Sequence, residues 1–126
     1  MNEAPITELA QRHAQWLMAR QTAVANNVAH ATSPGYRARD VASFSDTLEK
    51  TGLSMSVSSP QHFSAGSDRP GNVKMSYSKS PETSHSGNTV SMDQQLLIAN
   101  EVRQGYALNS GLMRSVHRLI LSAAKV

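Results

Sequence analysis

Between Ile6 and Ser33 the chain contains neither glycine nor proline, and the run stops at Pro34-Gly35. A stretch of that length is too long for an ordinary strand and predicts one amphipathic helix. Ile6, Leu9, Ala10, His13, Leu17, Val24, Val28 and Ala31 return mostly at intervals of three, four or seven, with Trp16 beside them. Arg20 and Asn27 fall on the same stripe. Pro5 suits the first helical position, and Glu8 meets the positive end of the macrodipole. A helix over residues 5–32 would be about 40 Å long at ~1.5 Å per residue. Thr32-Ser33-Pro34-Gly35 then reads as a turn, because proline keeps the preceding residue out of the helical region and glycine accepts positive φ. Asn27 on an apolar stripe has two readings: it fixes helix register by demanding a partner, or it satisfies backbone groups near the turn.

The other end of the chain repeats the pattern over residues 91–125. Ser91-Met92-Asp93-Gln94 has the form of a capping box, in which the serine hydroxyl and glutamine side chain satisfy backbone donors reciprocally. Met92, Leu96, Ala99, Val102, Tyr106, Asn109, Met113, Val116, Ile120 and Ala123 then step by three or four, close to a coiled-coil seam. Gly105 and Gly111 each weaken that helix by ~1 kcal/mol relative to alanine. Such glycines mark either a close backbone approach or a tolerated surface position.

The middle has neither periodicity. Asp40 is expected to cap a short helix in which Val41, Phe44 and Leu48 share a face. From Thr51 to Thr89 the chain is rich in Ser, Pro, Gly and Asn, with an alternation at Val73, Met75 and Tyr77 that suggests a short strand. Loops with room for one β-hairpin, flexible in the isolated protein, are the expectation.

Composition supports a mainly α fold. Aromatic residues are 5% of 126 and cysteine is absent, so a thick core and disulfide or thiolate chemistry are both excluded. A narrow apolar stripe suits paired helices better than a layered α/β fold. The predicted organisation is an N-terminal helix and turn (1–36), a short helix with an irregular insert (37–90) and a C-terminal helix (91–126). The two terminal helices form one coiled-coil-like packing unit, by pairing with each other or with neighbouring copies.

The net charge of +3 is mild. One-sided charge occurs only after Glu101, where Arg103, Arg114, Arg118 and Lys125 follow with no later acid. That run is a solvated face suited to a helix C-terminus, or a contact for an acidic neighbouring subunit. The alternative class, a small basic helical adaptor or nucleic-acid-binding protein, would need a denser Lys/Arg face. The five histidines have no metal-ligand spacing, and neither a phosphate loop nor a nucleophile elbow is present. The chain is therefore expected not to be an enzyme and to need no cofactor or metal. Its N-terminus does not read as a cleavable signal peptide, and its apolar runs are far shorter than the ~20 residues that span a bilayer.

Asn27-Val28-Ala29-His30-Ala31-Thr32-Ser33-Pro34-Gly35-Tyr36 resembles the signature shared by flagellar rod and hook proteins, roughly N-[IV]-A-N-x-x-T-P-G-[YF]. His30 stands in place of the second Asn and Ser33 in place of the Thr. Ser86-Gly87-Asn88-Thr89-Val90-Ser91-Met92-Asp93-Gln94 is similar to the lead-in to the C-terminal helix, with Ser86 and Ser91 where acids are usual. Gln11 to Leu17, Arg20-Gln21 and Tyr106-Ala107-Leu108-Asn109-Ser110 extend the likeness. The short chain also fits the proximal rod subunits rather than the longer distal rod or hook proteins. The chain thus resembles the flagellar basal-body rod protein family.

That resemblance implies a structural subunit made in the cytoplasm, exported by the flagellar type III apparatus without signal cleavage, and assembled into the periplasmic rod. Implied partners are other rod proteins, the adaptor between rod and membrane ring, the export gate and copies of itself, with no nucleic acid. Asn27, Val28, Ala29, Pro34, Gly35 and Tyr36 would form the assembly turn. Leu9, Leu17, Val24, Met92, Leu96, Tyr106, Asn109, Met113, Val116 and Ile120 are the helix-packing candidates. Phe44 and Leu48 fit the F-x-x-x-apolar pattern attributed to substrates of the export gate; their other reading is a small helix packed inward.

Overall fold

The computed structural model of the protein describes residues 5–49, 73–78 and 83–125. In chain order these form helix α1 (Pro5–Ala29), strand β1 (Arg39–Val41), helix α2 (Phe44–Glu49), strand β2 (Met75–Tyr77) and helix α3 (Met92–Ala124). The fold is mainly α, as the two long periodic stretches predict. α1 ends slightly before the expected residue 32 because its last turn tightens. The His30 amide is shared between the carbonyls of Asn26 and Asn27, and the Ala31 amide reaches back only to Val28.

α1 and α3 pack antiparallel. Asn27 meets Gln95, Leu17 lies against Gly105, and Ala10 meets Asn109, so contacts advance along one helix as they retreat along the other. Trp16, Leu17, Val24, Val41, Ile98 and Val102 form the buried core, with Phe44, Val73, Ala99 and Tyr106 packed at its margin. Gly105 is a close-approach glycine: a Cβ there would lie 2.9 Å from Leu17 Cδ2. Gly111 has no neighbour within 4 Å of that position. Because α3 is the longer helix and Asn109 lies opposite Ala10, its final turns extend past Pro5, roughly 15 Å of helix at 1.5 Å per residue.

β1 and β2 pair antiparallel, with Arg39 opposite Tyr77 and Val41 opposite Met75. The strand expected around Val73, Met75 and Tyr77 therefore exists, and its partner precedes α2 rather than adjoining it. β1 also overturns the expected role of Asp40, which lies within the strand and not at a helix cap. Its carboxylate accepts from the Val41 amide and faces Arg20. Ser43 caps α2 instead, its Oγ accepting from the Asp46 amide at 3.2 Å. The sheet is tied to α1 by the Trp16 indole, whose Nε1 donates to the Ala42 carbonyl at 2.8 Å. Arg20 joins three elements from α1, 3.0 Å from Glu101 on α3 and 3.4 Å from Asp40 on β1.

The capping box at the start of α3 is not formed. Ser91 is the N-cap with extended backbone, but its side chain makes no capping hydrogen bond. The chain is held one step earlier, where Asn88 Oδ1 accepts from the Val90 amide. The expectation of a flexible insert falls largely on residues 50–72 and 79–82, outside the described residues.

Candidate functional site

The turn after α1 and the segment before α3 form a single structure. Gly35 has φ +70°, a left-handed conformation in which a β-branched residue is strained. Its amide donates to the Ser86 carbonyl at 2.9 Å, and the Thr89 amide donates to the Tyr36 carbonyl at 3.0 Å. Thr89 Oγ1 accepts from the Ala38 amide. Gly87 also has positive φ, and a Cβ there would touch the Gly35 backbone at 3.5 Å. The Pro-Gly turn and the Ser-Gly-Asn-Thr segment are thus laced together by backbone bonds between residues far apart in sequence.

Asn88 locks this junction. It is 4% exposed, and its Nδ2 lies 2.9, 3.0 and 2.7 Å from the carbonyls of His30, Ala31 and Ser33. These three residues follow the end of α1, where the turn gives carbonyls no helical donors. Here the amide of a residue from the far side of the chain supplies them.

Asn27 is the second lock, on the α1 side. Its Oδ1 accepts from the Arg39 amide at 3.0 Å and the Tyr36 hydroxyl at 3.3 Å. Its Nδ2 donates to the Arg39 carbonyl at 2.7 Å and to Gln95 Oε1 at 3.0 Å. Two donors and two acceptors are the full capacity of a carboxamide. One side chain therefore mimics a neighbouring strand for β1 and fixes the register of α3. Both readings of Asn27 from sequence describe part of this geometry.

The other turn-motif residues are placed less centrally. Val28, Ala29 and Pro34 are exposed, while Tyr36 is half-buried and stacked on His30 with ring centroids 4.5 Å apart. Of the helix-packing candidates, Leu17 and Val24 are buried, and Tyr106, Met113 and Val116 are half-buried. Asn109 donates to the Ala10 carbonyl at 3.1 Å. Leu9, Met92, Leu96 and Ile120 are exposed in the single chain. The intrachain seam begins at Gln95, Ile98 and Val102 rather than at Met92 and Leu96, because a helix turns by ~100° per residue and only one narrow arc can face α1.

Phe44 and Leu48 are half-buried. The Phe44 ring meets His13 edge-on at 4.9 Å and Trp16 at 5.9 Å, so α2 packs inward through that residue.

Sequence reasoning gave no role to Gln95, which is 1% exposed. Its signal was its spacing with Ile98, Val102 and Asn109; polarity hid it from a search for apolar residues.

Outside the seam, α3 carries a second apolar stripe. Leu97, Leu108, Leu112 and Leu119 are spaced by eleven, four and seven residues, which places them on one face, and all four are exposed. Leu119, Ile120 and Leu121 lie on the part of α3 that extends past the start of α1. Among the described residues no cluster of three or more His, Cys, Asp or Glu could hold a metal ion, and no helix is long and apolar enough to cross a membrane.

No protein-family model matches the chain. Individual relatives do. The flagellar basal body rod protein FlgB of Agrobacterium fabrum is 30% identical over 135 aligned positions, covering 99% of this chain and 96% of the relative. The FlgB proteins of Yersinia enterocolitica and Escherichia coli are 34% and 33% identical over 85 positions, covering 60% of this chain and 61% of each relative. Because the first of these alignments runs the length of both chains, through the Asn27–Tyr36 turn and the Asn88 segment that the fold locks together, the chain belongs to the flagellar basal body rod protein FlgB family.

Proposed function

We propose that the chain is a proximal-rod subunit exported through the flagellar type III apparatus without signal cleavage and built into the periplasmic rod by its terminal helices. Membership of the family already makes it a structural protein of the flagellar basal body rod. The observation that carries the finer reading is the exposed stripe of Leu97, Leu108, Leu112 and Leu119, together with the apolar overhang of α3. Each leucine contributes roughly 1.5–3 kcal/mol when fully buried. Large apolar side chains aligned on one exposed face of a long helix mark a partner surface.

Helices of neighbouring rod proteins, copies of this chain and the adaptor between rod and membrane ring are the proposed occupants. The Asn27–Asn88 junction holds α1 and α3 in one register, so the stripe is presented as a rigid face. Phe44 and Leu48 are proposed as the segment read by the export gate. Since Phe44 packs on His13 and Trp16 in the fold, the gate would read it in the unfolded chain.

The test replaces Leu108 and Leu112 together by Asp in cells lacking the wild-type chain. Both side chains are exposed, so the fold should survive, as circular dichroism of the purified variant would verify. Expected is a protein that leaves the cytoplasm but is missing from purified basal bodies, with loss of motility. Wild-type recovery in basal bodies would refute the reading.

A further inference from the structure

Tyr77, at the end of β2, sits beneath two guanidinium groups. Arg37 Cζ is 4.6 Å and Arg39 Cζ 5.5 Å from the ring centroid. Both arginines are exposed, and neither has a carboxylate within ion-pairing distance among the described residues, unlike Arg12 and Arg20. A guanidinium resting on an aromatic face loses torsional freedom but keeps its in-plane N–H groups available. Two forks suited to carboxylates are thus held side by side.

Beside them, between the end of α1 and the sheet, is a cleft of about 220 Å³. Ala23 and Met75 give it apolar surface, and His30, Tyr36 and Arg39 give it polar walls. It is smaller than an ordinary cofactor pocket and fits one or two side chains.

The strand edge supplies a third feature. The Ser78 amide bonds to the Ala38 carbonyl and the Ala42 amide to the Lys74 carbonyl, so Arg39–Tyr77 and Val41–Met75 are the non-hydrogen-bonded pairs of the ladder. The backbone groups of Met75 and Tyr77 therefore point away from β1. No described residue bonds to them, whereas the matching groups of Arg39 are bound by Asn27.

We propose that this face binds an extended acidic segment of a partner protein. Its backbone pairs along Met75–Tyr77, carboxylates at alternate positions meet Arg37 and Arg39, and one side chain enters the cleft. An extended segment suits two arginines that are themselves two residues apart, since alternate side chains project to one face. A second copy of this chain does not fit: none of its nine acidic residues lies two positions from another. A nucleic acid would use neither the strand edge nor the cleft and would call for a denser basic face. This inference stands independently of the proposed rod assembly.

The test titrates the full-length protein into a fluorescein-labelled peptide alternating glutamate and valine, with its glutamine counterpart, a single-stranded oligonucleotide and anionic phospholipid vesicles as comparison probes. The glutamate peptide should bind saturably, at least ~10-fold tighter than the other three, and shift the amide resonances of Met75 and Tyr77. The double variant Arg37→Lys/Arg39→Lys keeps the charge and removes the planar forks, and should lose most of that affinity. Arg114→Lys/Arg118→Lys, remote on α3, should lose none. Should the first pair alter the fold by circular dichroism, Tyr77→Leu replaces it, with the same loss expected. No saturable binding, equal binding of any comparison probe, equal loss in the α3 variant, or unshifted Met75 and Tyr77 amides would overturn the proposal.

Discussion

Replacing Asn88 isolates the junction between the two ends of the chain. Three carbonyls share its Nδ2, which has only two hydrogens, so at most two full hydrogen bonds are lost there. A third is lost at the Val90 amide, which donates to Oδ1 at 2.8 Å. With each net hydrogen bond contributing about 0.5–1.5 kcal/mol and some carbonyls recovering water, Asn88→Ala should cost about 2–3 kcal/mol. Asn88→Asp is the more telling change. It keeps the acceptor for Val90 and the side-chain volume, but turns a donor into a charged oxygen facing three carbonyls. It should therefore destabilise at least as much as alanine at neutral pH. Protonation restores one donor, so the folded-state pKa of that Asp lies above its unfolded value. The recovered stability is present below the unfolded pKa and lost as pH rises through the folded one. The Asp deficit should accordingly shrink on acidification, and the Ala deficit should not. Urea unfolding followed by helical circular dichroism and by Trp16, the single tryptophan, measures all three proteins. If Asp matches wild type at neutral pH, or if Ala costs under ~0.5 kcal/mol, the Asn88 amide is not what joins the two ends.

Gly35→Val forces a β-branched residue to φ +70° and should cost about 1–2 kcal/mol or more; a stability equal to wild type would show that the turn relaxes freely. The two helical glycines should differ in sign. Gly111→Ala meets no neighbour and should stabilise α3 by up to ~1 kcal/mol, whereas Gly105→Ala must displace the buried Leu17 and should lower the melting temperature. Stabilisation by both would mean the Leu17–Gly105 contact is loose. Truncation after Gly111 removes Met113, Val116 and the apolar overhang, and should leave a protein that is exported but not retained in basal bodies; fractionation with recovery at wild-type amounts would exclude a role for the distal helix.

The sequence by itself determined the two terminal helices and the turn. A 3.6-residue periodicity, a Pro-Gly stop and the conformational freedom of glycine act through local backbone sterics, and α1, α3 and the positive φ of Gly35 follow from them. Local rules failed where a distant group competes. Asp40 has the side chain of a helix cap, yet Arg20 and the pairing of β1 with β2 hold it in a strand. Ser91 has the sequence of a capping box, yet Asn88 already fixes the chain before it.

The start of the buried stripe of α3 also differs from the one expected, since Met92 and Leu96 are exposed. Periodicity alone leads into Val102 from Met92 and Leu96 as readily as from Gln95 and Ile98, and the choice follows from the pairing of Gln95 with Asn27. Asn88 has a place in the Ser86–Gln94 motif, but the sequence assigns its side chain no role. Its meaning lies in carbonyls 55 to 58 residues away. A carboxamide carries no mark of its partners in the sequence, because hydrogen bonds are satisfied in space, and only the tertiary structure decides which distant backbone groups come within reach.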